Sequence, residues 1–252
     1  MRRFGLIGRV LGHSFSAKYF TEKFEREGLS QECRYDLFEM PEISCVEEFI
    51  TTTEGLVGFN VTIPYKQQII PYLTSMSDEA RNIGAVNCVK LYADGRRVGY
   101  NTDVDGIRIS LDKLLGCAEV GSALVLGTGG ASQAVQYVLA ERGIPFSIVS
   151  RDSAKGNLTY ADLSAEVIGD NHLIINTSPV GMYPHHDQAP DIPYEALGAN
   201  HYLFDLVYNP ERTLFVEKGC CAWGAYPLWP RYAICAGRGC VEDMERVAYS
   251  AE

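Results

Sequence analysis

Lys66 and Asp103 are the residues whose neighbours best equip them for proton transfer. Lys66 closes the stretch GFNVTIPYK (Gly58 to Lys66), and Asp103 lies inside GYNTDVDG (Gly99 to Gly106). Each stands among Asn and Thr at the end of an apolar run. One amine and one carboxylate beside directional hydrogen-bonding groups are what a site needs to hold a hydroxylated substrate and move a proton. The blander roles are a helix-surface charge for Lys66 and a helix cap for Asp103. Farther along comes a glycine-rich turn, GTGGAS (Gly127 to Ser132). Together the three stretches point to proton transfer beside a dinucleotide.

The turn gains weight from its place in the chain, because a lone GxGxxG arises often by chance. It directly follows the apolar run Ala123–Leu126 and opens a helix expected from Ala131 to Arg142, with Ser132 where the third glycine would stand. Glycines let the backbone approach a pyrophosphate, and the first amides of the helix supply donors and partial positive charge for it. The cofactor candidates are therefore Gly127, Thr128, Gly129, Gly130 and Ala131. The next expected strand, Phe146–Val149, runs into Ser150-Arg151 and not into the acidic residue that binds a bare ribose 2′-hydroxyl. Arg151, with Lys155 after it, suits a 2′-phosphate, so NADP is preferred over NAD. Asp152 beside the Arg keeps NAD open.

These residues need elements to position them. In the first half, a strand is expected over Arg3–Gly8. A helix follows, capped by Ser14, with Phe15, Tyr19, Phe20 and Phe24 at helical spacing and Gly28 as its stop. Next come a strand over Arg34–Phe38, a helix from Pro41 to Ile50, a strand over Leu56–Val61, and a hairpin of Val86–Tyr92 with Val98–Asn101 across Ala93-Asp94-Gly95. A connecting helix is expected from Val104 to Leu115, ending at Gly116. The second half adds strands over His172–Asn176 and Tyr202–Val207 in the rhythm of a doubly wound parallel sheet. The fold class is α/β.

Composition bounds the function. The 252 residues suffice for two modest cores, and 46% are hydrophobic. A formal charge of -10 and an isoelectric point near 5.0 argue against a nucleic-acid partner. No apolar run is long enough to span a membrane, and MRRFGLIGRV lacks the apolar stretch and cleavage site of a secretory signal, so a cytoplasmic protein is expected. The eight cysteines are expected to be thiols. His185-His186 has no third ligand at a sensible spacing, so no metal is expected.

The order GHSFS (Gly12 to Ser16), NVTIPYK (Asn60 to Lys66), GAVN (Gly84 to Asn87), GYNTDVDG, GTGGAS, INTSPVGM (Ile175 to Met182) and DLVYNPERT (Asp205 to Thr213) resembles the shikimate dehydrogenase family from the N-terminus to about Lys218. The resemblance implies NADP(H)-dependent, reversible reduction of 3-dehydroshikimate to shikimate in aromatic amino-acid biosynthesis. It also implies an N-terminal α/β substrate domain (1–103) and a Rossmann-like, doubly wound NADP domain (104–218), in a monomer or homodimer. By match to the family's motifs, Lys66 and Asp103 are the catalytic pair. Ser14 and Ser16 would bind the substrate carboxylate, and Asn60, Thr62, Asn87 and Asp103 the ring hydroxyls. Asn176, Thr177, Met182 and Leu206 would line the cofactor, and Tyr208 would touch substrate. Ser150, Arg151 and Lys155 stand at its phosphate end. Ala17, where the family usually has Pro, is a minor departure. The alternatives are a quinate/shikimate dehydrogenase with broader cofactor use and, from another class, a nucleotide-sensing protein without turnover.

Residues 219–252 break the resemblance. The family has Gly followed by Met-Leu, then a substrate-contacting Gln and a helix bearing Trp, whereas this stretch scatters Pro, Gly and Cys, with Cys220, Cys221, Cys235 and Cys240 among them. A frameshift is the favoured explanation. Back-translated with permitted codons and read one base later, Arg231–Gly239 can give DMLYVQAED, and Gly239–Val247 can continue as DAWRIWNE before a TAG stop. The slip would lie near Lys218 or Gly219. A divergent tail or a cysteine-rich metal site is the rival, and DNA sequencing across codons 215 to 225 separates them. The chain as written is expected to have reduced activity and a poorly ordered end.

Overall fold

A computed structural model of the chain describes residues 1–12, 14 and 16–221. They fall into two compact bodies, residues 1–102 and 103–221. What was expected of Phe15, and of the tail and its shifted frame beyond residue 221, lies outside the described residues.

The first body is built from β1 (Arg2–Gly8), α1 (Ser16–Arg26), β2 (Cys33–Glu39), α2 (Val46–Thr52), β3 (Leu56–Val61), β4 (Ser75–Met76), α3 (Asp78–Ile83), β5 (Cys88–Leu91) and β6 (Arg97–Tyr100). Its six-stranded sheet has the order β2-β1-β3-β5-β6-β4. β1 runs parallel to β2 and β3, while β3, β5 and β6 are antiparallel in turn, so the expected hairpin forms with Cys88 opposite Tyr100. Alternation along β1 builds both faces. Leu6 joins Phe20, Phe24 and Tyr35 under α1, and Ile7 joins Phe49, Phe59, Val61, Tyr65 and Ile69 on the other side. The helix expected from Pro41 starts later, because Glu42 keeps an extended backbone and a single 3-10 turn at Ile43–Cys45 precedes α2.

The second body comprises α4 (Asp103–Leu115), β7 (Ala123–Leu126), α5 (Gly130–Glu141), β8 (Phe146–Ser150), β9 (Leu158–Thr159), α6 (Ala165–Asp170), β10 (Leu173–Asn176), β11 (Tyr202–Asp205) and α7 (Leu214–Cys221). All five strands are parallel, in the order β11-β10-β7-β8-β9. β7 (ALVL) and β10 (LIIN) are buried at every residue, as continuous apolar strands covered on both faces must be. The chain leaves β7 towards β8 and β9, then returns to β10 and β11 on the opposite side. The switch point therefore falls between β7 and β10, and it is outside the carboxyl ends of such strands that open α/β sheets bind their ligands.

Candidate active site

In the first body Asn60, Asn87 and the Lys66 backbone meet in a buried polar frame centred on Asn87, which is 1% exposed. Gly84 ends α3 with φ +71°, a conformation open to glycine at little cost, and so turns the chain into Ala85–Asn87. The Asn87 side-chain oxygen accepts the Thr102 amide (2.9 Å) and hydroxyl (3.3 Å), and Asn60 Nδ2 donates to the Asn87 carbonyl (3.4 Å). Tyr35 donates its hydroxyl to Asn60 Oδ1 at 2.8 Å. The Asn101 amide donates to the Ala85 carbonyl at 3.0 Å, and the Val86 N–H to the Lys66 carbonyl at 2.7 Å. One short segment thus fixes the backbones of the Lys66 turn and of the Asn101-Thr102 strand end.

Lys66 and Thr62 are half-buried on the turn after β3. That turn is pinned by fully buried Tyr65, whose hydroxyl donates to the Met40 carbonyl at 2.6 Å. Ser14 Oγ accepts the Ser16 amide at 3.3 Å, so Ser14 does act at the start of α1, and both serines remain half-buried. Asp103, buried, opens α4 in the second body. Sequence reasoning missed Tyr35 and Thr102. Thr102 sat in plain view between Asn101 and Asp103, whereas Tyr35 carries no local signal because its partner comes from a different strand.

In the second body Gly127 has φ +123°, and a Cβ there would lie 2.8 Å from Thr177 Oγ1, so backbone and space both call for glycine. Gly129 caps α5 without a side chain, and an added Cβ would meet nothing within 4 Å: the ground above the first helical amides is open. Ser132 is fully buried and donates to the Gly127 carbonyl at 2.7 Å, which explains a serine at the third glycine position. Thr128, Gly130 and Ala131 complete the turn and first residues of the helix. These features fit a dinucleotide pyrophosphate.

Ser150, at the end of β8, accepts the Asp152 amide at 3.1 Å. The Asp152 carboxyl is held below the usual carboxylate range first by the Ala154 amide and then by Lys155, whose ammonium lies 3.5 Å away. Asp152 is thus engaged with its own turn, and Arg151 stands exposed beside it. Asn176 is 0% exposed and works beneath its loop: its Oδ1 accepts the Ser178 amide and hydroxyl, and its Nδ2 donates to the Val180 carbonyl. Thr177 donates both its amide and its hydroxyl to the Leu126 carbonyl. Leu206 is half-buried and donates its N–H to the Asn176 carbonyl, while Met182 (38%) and Tyr208 (45%) are exposed. His186 stacks on Tyr183, and among the described residues no group of three His, Cys, Asp or Glu is placed to hold a metal. Among those residues no helix is long and apolar enough to cross a membrane.

Residues 6–89 match the family model described as the shikimate dehydrogenase substrate binding domain. The chain is 38% identical to shikimate dehydrogenase (NADP(+)) of Clostridium beijerinckii over 87% of its own length and 83% of the relative's. It is 34% identical to the protein of the same name from Methanococcus maripaludis over 85% and 81%, respectively. The crystal structure of shikimate 5-dehydrogenase from Thermus thermophilus in complex with NADP(H) and shikimate superposes with a TM-score of 0.82 at 27% identity, covering 100% of this chain and 94% of that one. At 34% and 38% identity over more than four-fifths of each chain, these relatives show that the chain belongs to the shikimate dehydrogenase family.

Proposed function

We propose that this chain catalyses the NADP-dependent, reversible reduction of 3-dehydroshikimate to shikimate in aromatic amino-acid biosynthesis. The observation that carries the proposal is the Tyr35–Asn60–Asn87–Thr102 frame, a set of hydrogen-bonded buried amides and hydroxyls tied to the Lys66 turn by the neighbouring Val86 N–H. A ring bearing several hydroxyls is selected by such preorganised directional partners, because an analogue lacking a hydroxyl leaves one of them unpaired. Gly127 to Ala131 hold the pyrophosphate, and Arg151, with Lys155, attracts the 2′-phosphate. When bound, NADPH supplies the hydride that adds to the substrate carbonyl carbon.

The chain's own residues do the rest. The Lys66 ammonium stabilises the negative charge that grows on the carbonyl oxygen, and the Lys66/Asp103 pair delivers the proton that completes the alcohol. Ser14 and Ser16 take the substrate carboxylate, Thr62 joins the asparagines at the ring hydroxyls, and Tyr208 closes on the substrate. The acidic balance fits a cytoplasmic enzyme, a monomer or homodimer with no nucleic-acid partner.

Cofactor absorbance at 340 nm, followed with shikimate or quinate and NADP+ or NAD+, tests the proposal. Turnover fastest with shikimate and NADP+ is expected. Faster turnover with quinate and NAD+ replaces the substrate assignment, and NADP+ binding without turnover of either acid indicates a sensor.

A further inference from the structure

We infer that Asp205 is a positioning residue of this site: one buried carboxylate locks the loop carrying Leu206 and Tyr208 to the loop that begins at Asn176. The inference rests on the proposed reading of those residues as cofactor and substrate contacts, and it assigns a role to a group that the chemistry itself does not use.

Asp205 ends β11 in register with Asn176 at the end of β10, and it is 2% exposed. Three donors from three places converge on it. Oδ1 accepts the Asn176 side-chain amide at 3.0 Å and the Val207 N–H at 2.9 Å, and Oδ2 accepts the Thr213 hydroxyl at 2.6 Å. Val207 and Thr213 flank Tyr208, so the same carboxylate clamps both feet of that loop. Through Asn176 it also reaches the turn containing Ser178 and Val180. Thr177 then carries the connection to the Leu126 carbonyl, immediately before the Gly127 turn. A backbone bond from the Tyr183 N–H to the Asn209 carbonyl (3.2 Å) ties the Met182 segment to the Tyr208 loop a second time.

The residue type matters. Only an ionised carboxylate offers acceptor sites alone, whereas an amide would present a donor where the Thr213 hydroxyl now donates. Holding that carboxylate out of water is unfavourable, and burial pushes its pKa up to about 6. An apolar or amide side chain would fill the same volume at lower cost, so the carboxylate is best understood by what it aligns.

The test compares the full chain with Thr213→Val, Asp205→Asn and Tyr208→Ala, alone and combined, by steady-state kinetics and by calorimetric titration with NADP+. For Thr213→Val we expect KM for shikimate to rise about tenfold with kcat within about threefold, and the rise to shrink below about twofold in the Tyr208→Ala background. Asp205→Asn retains the acceptor for Val207 and Asn176, and a further variant, Asp205→Ala, which removes all three acceptor contacts, should lose more than Asp205→Asn does. An equal KM change in both backgrounds would mean that Thr213 and Asp205 serve only the fold, and unchanged KM and NADP+ affinity in Thr213→Val and Asp205→Asn would overturn the inference. If the native chain binds NADP+ yet turns over no acid, the functional reading fails separately. The inference then stands or falls on whether Asp205→Asn weakens NADP+ binding by at least about threefold. Absence of NADP+ binding by the native chain removes both.

Discussion

The Asn87 frame of the first body and the Gly127 turn of the second are built by opposite means. In residues 1–102 the site is framed by side chains: the amides of Asn60 and Asn87 and the hydroxyls of Tyr35 and Thr102 satisfy one another in the interior. At the Gly127 turn of residues 103–221 the frame is backbone: Gly127 is twisted to positive φ, Gly129 leaves open ground above α5, and the hydroxyls of Ser132 and Thr177 brace the Gly127 and Leu126 carbonyls. The difference suits the ligands proposed for each. A polyol ring needs a particular set of donors and acceptors, whereas a pyrophosphate needs close approach to several N–H groups at once. A side-chain frame should therefore fail by losing hydrogen bonds, and a backbone frame by gaining atoms.

The largest effect should come from the side-chain frame. Asn87→Ala strands the Thr102 amide and hydroxyl without their acceptor, which should cost about 2–4 kcal/mol of stability and raise KM for shikimate much more than KM for NADP+. Urea unfolding together with the two KM values reads both. If the two KM values rise alike, the claimed division of labour between the bodies is broken.

The next effect sharpens the contrast by pH. Burial raises the Asp205 pKa to about 6 from an ordinary 3.8, so the folded chain holds this proton more tightly than the unfolded one. Its contribution is fully favourable below about pH 4 and is lost as pH rises through about 6, a fall of about 3 kcal/mol with roughly half of it above pH 5. Urea midpoints at pH 5 and pH 8 should show this fall in the native chain and lack it in Asp205→Asn.

Gly127→Ala tests the backbone frame directly. The φ of +123° and the 2.8 Å approach to Thr177 Oγ1 should weaken NADP+ binding by about ten- to a hundredfold, with shikimate binding nearly unchanged. The smallest effect is expected for Arg151→Gln, which should lower the preference for NADP+ over NAD+ by about tenfold through loss of one charged contact to the 2′-phosphate. An unchanged ratio would leave the phosphate to other groups.

The same contrast explains what was legible in the sequence. Backbone frames leave a local signature, so the GTGGAS turn, its preceding strand and its helix were all readable, as was the parallel sheet implied by the regular alternation in the second half. Side-chain frames leave fragments. Asn60 and Asn87 were identified, but their partner Tyr35 sits on β2, and only the folded sheet brings it to Asn60. Asp205 looked like one letter of a motif until three donors were found on its oxygens. The elements missed altogether, α3, α6, α7, β4 and β9, are two to eight residues long, too short for a period to show clearly. The α3 boundaries come from its Ser77 and Gly84 caps, and the late start of α2 from the extended backbone at Glu42. Asn176 was expected to face the cofactor, yet its burial places it under the loop whose upper surface it shapes.

The account centres on Lys66 acting on the substrate carbonyl. The most direct measurement is turnover of 3-dehydroshikimate with NADPH by native and Lys66→Ala proteins, with binding of both ligands measured alongside. The account predicts ligand affinities within about tenfold of native and kcat lower by about 10²–10⁴. Equal kcat in the two proteins would contradict it.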